Sequence, residues 1–338
     1  MSRTTLRDVA VRAGVSYQTV SNVINNHTKM TEGTRQTVLE AMLALDYEPN
    51  HAARALGRAK SQTIAYIVYE PTAASFADPY VGSILAGMHV PLREAKYDLL
   101  THGVANESDA ELRTLRSLFQ QRRVDGAIVV AGQVPDSFLA TLSVWDVPTV
   151  VFDRVVPGTK FSSVTADHRG GIALAVNHVI ARGRRRVAFV AGPSPSPYSV
   201  AAQRLLGYRD GLKQAGFGLN EHLIVEGDWS HASGRRALET LLELDSPPDA
   251  VIAASDAMAI GVIRAAKARG LRVPQDLSVT GFDDFEFAQW VDPALTTLHL
   301  PVADMAVRAA RQLLAHIGGD TTPRVETFDV NLIVRESA

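Results

Sequence analysis

Residues 5–27, TLRDVAVRAGVSYQTVSNVINNH, predict two short helices joined by a tight turn. Thr5 is a candidate N-cap with Asp8 three residues later, and Gly14 supplies the turn. Ser16 is the candidate N-cap of the second helix. Apolar residues recur on one side of each helix: Leu6, Val9, Ala10 and Ala13 in the first, and Val20, Val23 and Ile24 in the second. The stretch therefore predicts a helix-turn-helix whose second helix is the recognition helix.

The other face of this second helix is polar and uncharged. Its members, within roughly 140° of arc on a helical wheel, are Tyr17, Gln18, Ser21, Asn22 and Asn25. Their amide and hydroxyl groups both donate and accept hydrogen bonds, as side chains that read base edges in a DNA major groove must. Taken alone, the pattern favours an ordinary polar surface helix; the preceding helix and turn favour DNA recognition.

A third helix follows the pair. Thr31 is its candidate N-cap, and it ends near DYEPN (46–50). Its apolar residues at helical spacing are Val38, Leu39, Met42 and Leu45. Three such helices can close a small core, so we predict an all-α helix-turn-helix DNA-binding domain over residues 1–48.

The charge of the chain is unevenly distributed. Residues 1–60 contain eight Lys or Arg and five Asp or Glu residues, a net charge of +3. The whole chain has a formal charge of -2, so the remainder carries -5. A basic N-terminal module is consistent with DNA binding, because phosphate contacts supply most of the non-specific affinity.

From Gln62 onward the pattern changes to short apolar runs that alternate with longer amphipathic stretches. Examples of the runs are TIAYIVYE (63–70), GAIVVAG (126–132) and RVAFVAG (186–192). The alternation predicts repeated βα units with buried parallel strands, in an α/β body long enough for two similar lobes. We expect lobe 1 at about 62–162 and 293–321, and lobe 2 at about 163–292 and 322–338.

Residues 49–61 connect the two parts. Pro49 stops the third helix, Asn50 is a candidate cap, and the alanine-rich run ends at Gly57. One interpretation is a plain linker. The other is a hinge helix that folds on DNA, with Leu56 as an apolar wedge for the minor groove.

Several classes of protein are disfavoured. The chain contains no Cys, which excludes disulfides and thiolate metal sites, and no metal or other cofactor is predicted. It has no phosphate-binding loop, zinc-protease motif or nucleophile elbow, so an enzyme is not expected. No apolar leader or membrane-length apolar segment is present, so we expect a cytoplasmic protein.

The chain resembles the LacI/GalR family of bacterial transcription regulators. The resemblance rests on five motifs in order: TLRDVAVRAGVSYQTVSNVIN (5–25), EPNHAARAL (48–56), GDWS (227–230), SDAMAIG (255–261) and GFDDFEFAQWVDPALTTL (281–298). It implies a helix-turn-helix head, a hinge helix and a two-lobed body like that of periplasmic sugar-binding proteins. It also implies a homodimer on a pseudo-palindromic operator.

The resemblance assigns DNA contacts to matching positions. Tyr17, Gln18 and Asn22 match base-reading positions, although Asn22 stands where Arg is common, and Asn favours adenine over guanine. Residues matched to positions that contact phosphate or support the fit are Thr5, Ser16, Ser21, Asn25 and Thr34. Leu6 and Asn50 are further candidate DNA contacts. Ala53 and Leu56 match hinge residues that enter the minor groove.

The resemblance also assigns an effector site between the lobes. Its candidate residues are Phe76, Tyr80, Asp153, Tyr198, Arg204, Trp229, Ser255 and Asp283. Carboxylate and guanidinium groups bind vicinal hydroxyls, and an indole covers the apolar face of a pyranose. The structural alternatives are an Arg204–Asp283 ion pair, a core Trp229 and a helix-capping Asp153. Ser255 stands where sugar-binding relatives often have Asn, and Leu300 where Gln is frequent.

These observations predict a sequence-specific DNA-binding regulator, a repressor controlled allosterically by a small carbohydrate. The expected partners are operator DNA, the sugar and a second copy of the chain. No leucine heptad follows VETFDVNLIVRES (325–337), so we predict a dimer rather than a tetramer. The alternatives are a non-sugar corepressor such as a nucleobase or nucleoside and, less compatible with the head, a sugar-transport protein.

Overall fold

The computed structural model describes residues 4–24, 30–47, 60–69, 78–132 and 134–338. The head contains helices α1 (Leu6–Ala13), α2 (Tyr17–Ile24) and α3 (Glu32–Ala44). Thr5 and Asp8 form a capping box at the start of α1, and Gly14 ends the helix with a φ of 65°. This positive φ suits glycine, which has no Cβ to clash. The predicted helix, turn and helix are confirmed.

The head has its own core. Val9, Val20 and Val38, one from each helix, are 0% exposed. Leu39 was also expected in this core, but it is 38% exposed, whereas Ala41 is buried. The apolar spacing was compatible with both positions, and α1 and α2 pack on the side of α3 that carries Val38 and Ala41.

The body contains two main sheets, both parallel, and a small third one. In chain order its strands are β1 (Thr63–Tyr69), β2 (Asp98–Val104), β3 (Gly126–Val130), β4 (Thr149–Phe152), β5 (Ser162–Ala166), β6 (Val187–Ala191), β7 (Ile224–Glu226), β8 (Ala250–Ala253), β9 (Ser278–Thr280), β10 (Thr297–His299), β11 (Val325–Phe328) and β12 (Asn331–Ile333). The first sheet has the order β11-β5-β4-β3-β1-β2, and the second has the order β7-β6-β8-β9. Buried strands flanked by helices explain the continuous apolar runs of the sequence.

Helices cover the sheets of both lobes. They are α4 (Pro79–Glu94), α5 (Asp109–Gln120), α6 (Asp136–Val144), α7 (His168–Ala181), α8 (Val200–Gln214), α9 (His231–Leu242), α10 (Asp256–Ala268) and α11 (Val302–Ile317). The main helix pairs are α4 with α11, α7 with α8, and α9 with α10. This is the predicted two-lobed α/β body.

The strand pairing moves the expected lobe boundaries by a few residues. β5 and β11 pair with each other in the first sheet, although residues from 163 and from 322 were expected in lobe 2. The run VETFDVNLIVRES is not one strand, because β12 leaves that sheet and pairs antiparallel with β10. Within the described residues, no helix is long and apolar enough to span a membrane.

Candidate functional site

The polar face of α2 carries the predicted base-reading residues. Tyr17 is 54% exposed, although it is one of the larger apolar side chains of the head. The side-chain amide of Gln18 donates to Asn22 Oδ1 at 3.3 Å, one helical turn away. The two amides therefore present their remaining donors and acceptors together, on the side of α2 opposite Val20 and Val23, which are buried.

Several other candidate DNA contacts have local structural roles. The Ser16 hydroxyl accepts from the Thr19 backbone amide at 3.0 Å. The Thr31 hydroxyl accepts from the Thr34 backbone amide at 3.4 Å. The Thr34 hydroxyl lies 2.9 Å from the Thr31 hydroxyl. Leu6 packs against the head core. Thr5 caps α1 and Ser21 lies on the polar side of α2. These residues shape the starts of the helices, and helix N-termini are sites where phosphate oxygens bind.

Five candidate residues lie outside the described residues: Asn25, Asn50, Ala53, Leu56 and Phe76. Their assignments rest on the sequence alone.

Predicted effector residues from the two lobes meet in one cluster, here called the cleft: Tyr80 and Asp153 of lobe 1 and Arg204, Trp229 and Asp283 of lobe 2. Asp153 follows β4, has a φ of 61° and is 2% exposed. Its carboxylate accepts from the Tyr80 hydroxyl at 2.7 Å and lies 2.6 Å from His168 Nε2. Asp153 caps none of the described helices, and its contact with His168 joins the two lobes.

The ionisation of these groups follows from their surroundings. Burial by itself would raise the pKa of Asp153, but His168, Arg204 and Tyr80 outweigh it and lower the pKa from the usual value. Burial, and then the Asp153 carboxylate, raise the pKa of Tyr80 well above its usual value. Asp153 is thus an anion that accepts hydrogen bonds, and Tyr80 keeps its proton and donates one.

His168, at the start of α7, connects Asp153 to Arg204. Arg204 Nε donates to His168 Nδ1 at 3.3 Å, so Nδ1 acts as the acceptor. His168 Nε2, on the other side of the ring, lies 2.6 Å from the Asp153 carboxylate, so the imidazole bridges the two side chains. The ring stacks on Phe282 with centroids 5.5 Å apart.

Arg204 lies at the centre of the cleft and is 4% exposed. Besides His168, it donates to the Ala254 carbonyl and lies 3.6 Å from Asp283 Oδ1. Its guanidinium also stands 3.7 Å from the centroid of the Phe282 ring. The three nitrogens of the guanidinium thus approach three different partners: Nε His168, Nη1 Ala254 and Nη2 Asp283.

Asp283 is presented by a strained turn, with φ values of 121° at Asp283 and 61° at Asp284. Burial raises the pKa of Asp283 well above its usual value; Arg204 opposes the rise, and Asp256 and Asp78 add to it. Asp283 lies beside Arg204, as the ion-pair alternative held, but its raised pKa favours the protonated carboxyl group.

Trp229 packs against the lobe core, and its ring centroid lies 5.7 Å from the Arg204 guanidinium. A Cβ added to Gly192 would lie 2.1 Å from the Trp229 ring, so the indole needs glycine there. The indole Nε1 is buried and has no hydrogen-bond partner within the described residues. An unpaired buried donor is costly in free energy.

Two predicted effector residues are not brought into this cluster. The Ser255 hydroxyl accepts from the Met258 amide at 3.2 Å and caps α10, and Ser255 is 5% exposed. Tyr198 is 46% exposed on the loop after β6, and none of its side-chain atoms contacts the cluster in the described hydrogen bonds. Leu300 is buried.

A second contact joins the lobes at the loop after β6. We call Asp136, Arg154 and Ser196 the interlobe clasp. The Arg154 side chain is 0% exposed and donates to Asp136 and, at 2.7 Å, to the Ser196 hydroxyl. Ser196 in turn donates to Asp136 at 2.9 Å. Asp136 and Arg154 belong to lobe 1 and Ser196 to lobe 2, so opening the lobes breaks these bonds.

Sequence reasoning missed His168, Phe282 and the clasp. The motif GFDD (281–284) contains Phe282, but only Asp283 of this motif was predicted as a site residue. Asp167 and His168 follow a buried strand, which is where a parallel α/β sheet places ligand-contacting residues. That position was a usable signal. Among the described residues, no group of His, Asp and Glu side chains is arranged to hold a metal ion.

Comparison with known proteins agrees with this architecture. The family model for bacterial regulatory proteins of the lacI family matches residues 5–50, and the model for a periplasmic binding protein-like domain matches residues 176–338. The transcriptional regulator CelR of Thermobifida fusca is 36% identical, over 99% of this chain and 98% of its own.

Solved structures show the same arrangement. The structure of a CelR–cellobiose complex has a TM-score of 0.76 at 34% identity, covering 99% of this chain and 100% of its own. The lac repressor dimer bound to operator and the anti-inducer ONPF has a TM-score of 0.86 at 30% identity, covering 99% of both chains.

A helix-turn-helix head on a two-lobed body with a polar cleft defines a transcription regulator and not an enzyme. This chain belongs to the lacI family of bacterial regulatory proteins.

Proposed function

We propose that this regulator binds a pseudo-palindromic operator as a homodimer and that a small carbohydrate bound between its lobes changes operator affinity. The observation that carries the proposal is the cluster of Asp153, Arg204 and Asp283 between the lobes. The relatedness to CelR, solved with cellobiose, supports a sugar as the effector. We assign residues 1–48 to DNA binding, 49–61 to the hinge and 62–338 to effector binding and dimerisation, acting in the cytoplasm.

In the head, Tyr17, Gln18 and Asn22 read base edges, while Thr5, Leu6, Ser16, Ser21, Asn25, Thr34 and Asn50 contact or shape contacts to phosphates. Ala53 and Leu56 enter the minor groove. The exposed Tyr17 ring and the paired amides of α2 support base reading, because adjacent amides match adenine edges. Removal of the Gln18 amide should cost about 1–3 kcal/mol on the best operator and relax the preference at one base pair.

In the cleft, Asp153 and Asp283 accept from sugar hydroxyls, and Arg204 donates to them. Trp229 covers the apolar face of the ring, and its free N–H binds a sugar oxygen. Tyr80 orients Asp153 through its hydrogen bond. When a ligand breaks that bond, the Tyr80 hydroxyl donates to the ligand instead. Tyr198 contacts the sugar from the loop after β6, Ser255 contributes through the start of α10, and Phe76 is assigned to the effector site from the sequence alone.

The coupling between sites is thermodynamic linkage. The bonds of Asp153 to His168 and of Arg154 to Ser196 exist only when the lobes are close. A sugar that inserts its hydroxyls among these groups binds the two lobe arrangements with different affinity and so shifts their populations. Residues 49–61, the hinge, join the head directly to lobe 1. A change in the spacing of the lobes therefore changes the spacing of the two hinges in the dimer.

The test is selection of DNA fragments by the purified protein, with and without a sugar panel that includes cellobiose. We expect a pseudo-palindromic site whose recovery changes with one sugar. A nucleoside panel run in parallel detects a non-sugar corepressor, and recovery that responds to nucleosides alone would overturn the sugar assignment. Gln18→Ala should change the selected half-site, whereas Leu56→Ser should reduce bending and leave the half-site unchanged.

A further inference from the structure

The turn Phe282–Phe285, here called the cleft turn, has a conformation that its own residues disfavour. Asp283 and Asp284 are consecutive non-glycine residues with positive φ, at 121° and 61°. Such residues cost free energy and persist only where the surrounding structure holds them. The position of Asp283 in the cleft therefore depends on contacts made to the turn from outside it.

Asp256, the first residue of α10, binds the cleft turn at both ends. Its backbone amide donates to the Phe282 carbonyl at 2.7 Å, and its Oδ2 accepts from the Phe285 amide at 3.1 Å. Its Oδ1 accepts from the Thr297 hydroxyl. The two turn contacts bracket Asp283 and Asp284, so one residue fixes the entry and the exit of the strained segment.

Asp256 acts from beneath the cleft and not within it. The residue is 0% exposed, and all of its described hydrogen bonds are internal. Gly281 makes room for it, because a Cβ at that position would lie 2.3 Å from Asp256 Oδ1. A bound molecule in the cleft contacts Asp283, while Asp256 has no surface to offer it.

Other residues also contact the turn: the Ala288 amide donates to the Phe285 carbonyl at 2.8 Å, and His168 stacks on the Phe282 ring. The Asp284 carboxylate lies 2.6 Å from Arg335 and 3.0 Å from His299. Asp283 is held through its backbone, which donates to Leu298 at 2.9 Å. Among the described residues, only Asp256 forms hydrogen bonds with both Phe282 and Phe285.

The charge state of Asp256 identifies a conservative replacement. Burial raises the pKa of Asp256 to about 7, and the bonds from Thr297 and Phe285 oppose the rise. A substantial fraction of molecules therefore carries the neutral acid near neutral pH. Asn has the same shape, accepts from the Phe285 amide through its oxygen and donates to the Thr297 hydroxyl through its nitrogen.

We propose that Asp256 is a positioning residue that holds the cleft turn in its strained conformation and thereby directs the Asp283 carboxylate toward Arg204 and the bound sugar. The second half of this inference rests on the proposed function. The first half, that Asp256 controls the pairing of Asp283 with Arg204, stands without any ligand.

The ligand-free half is tested by a double-mutant cycle on urea unfolding of the full chain. If Asp256→Ala already releases Asp283 from Arg204, a further Asp283→Ala change should add little, with a coupling of about tenfold in the unfolding equilibrium constant. Leu241→Ala is the matched control, because Leu241 is buried in the same lobe on α9. It should destabilise the lobe and combine additively with Asp283→Ala. Additive behaviour of Asp256→Ala would overturn the proposal.

The ligand half is tested by calorimetry with cellobiose. Asp256→Ala and Gly281→Ala should each weaken binding about tenfold or more, Asp256→Asn should stay within about threefold of the unsubstituted protein, and Leu241→Ala should bind normally. Equal losses for Asp256→Asn and Asp256→Ala would overturn positioning by shape. If the unsubstituted protein does not bind cellobiose, that result counts against the proposed sugar, and the unfolding cycle alone decides the role of Asp256.

Discussion

Removal of the Arg204 side chain should destabilise the body strongly. Arg204→Ala deletes the donor to the Ala254 carbonyl and His168 Nδ1 and the partner of Asp283 at 3.6 Å. It leaves a carbonyl, a ring nitrogen and a carboxyl group buried without their cation. Because the Arg204 side chain is 5% exposed and that of Asp283 is 11% exposed, solvent screens these interactions little.

The expected magnitude follows from this burial. Leaving a buried acceptor without its donor costs about 1–3 kcal/mol, and Arg204 donates to two buried acceptors, the Ala254 carbonyl and His168 Nδ1. The guanidinium also loses its contact with the Phe282 ring at 3.7 Å. We therefore expect a loss of about 4 kcal/mol, a large fraction of the roughly 5–15 kcal/mol of a typical domain. Arg204→Lys keeps the charge but not the planar fork, so its loss should be smaller.

The assay is equilibrium urea unfolding followed by tryptophan fluorescence. Arg209→Ala on the same helix is the matched control, since its ion pair with Glu221 is largely exposed and should be worth under about 1 kcal/mol. A loss below about 1 kcal/mol for Arg204→Ala would refute the reasoning, because it would mean that Arg204 does not hold these partners together.

Three further predictions concern the lobes, the buried acid and the assembly. Ser196→Ala should lower the free energy of unfolding by about 1 kcal/mol, because buried Arg154 loses a hydroxyl acceptor; an unchanged urea midpoint would contradict the clasp. The pKa of Asp256 is about 7 in the folded protein, above the usual value of 3.8. The neutral acid therefore contributes its full stabilisation below about pH 4, and this stabilisation is lost as the pH rises through about 7. The free energy of unfolding of Asp256→Asn should therefore fall less over that pH range than that of the unsubstituted protein. Equal falls in the two proteins would contradict this prediction. Sedimentation at micromolar concentration should give a dimer, and a stable tetramer would overturn that assignment.

Local signals in the sequence were sufficient to predict the head. The Thr5–Asp8 capping box and the glycine at the end of α1 act within a few residues of themselves, so their meaning did not depend on the rest of the fold. The apolar runs of most body strands were equally local, because strands buried on both faces need no polar alternation.

Strand β5 and the division of the C-terminal run were not predictable in the same way. β5 reads SSVTA and is buried, with Ser162 paired to His316 at 3.0 Å. A polar strand of this kind is stabilised by partners far away in the chain. β11 and β12 lie two residues apart and join different sheets, which only the tertiary arrangement decides.

The cleft was predicted in part. Arg204 and Asp283 came from family resemblance, whereas His168 and Asp256 act through contacts 36 and 29 residues away in sequence. Ser255 illustrates the opposite case. A serine followed by aspartate at the start of a helix is itself a cap signal, and the structure uses the hydroxyl for that purpose.

The most direct test of sugar-controlled DNA binding is a titration of labelled operator with the unsubstituted protein and with Asp283→Ala, followed by fluorescence anisotropy. At least one sugar of the panel should change the operator Kd of the unsubstituted protein by about tenfold. The same sugar should leave Asp283→Ala unaffected while that variant still binds operator. An operator Kd that no sugar changes, or one that changes equally in both proteins, would contradict the account.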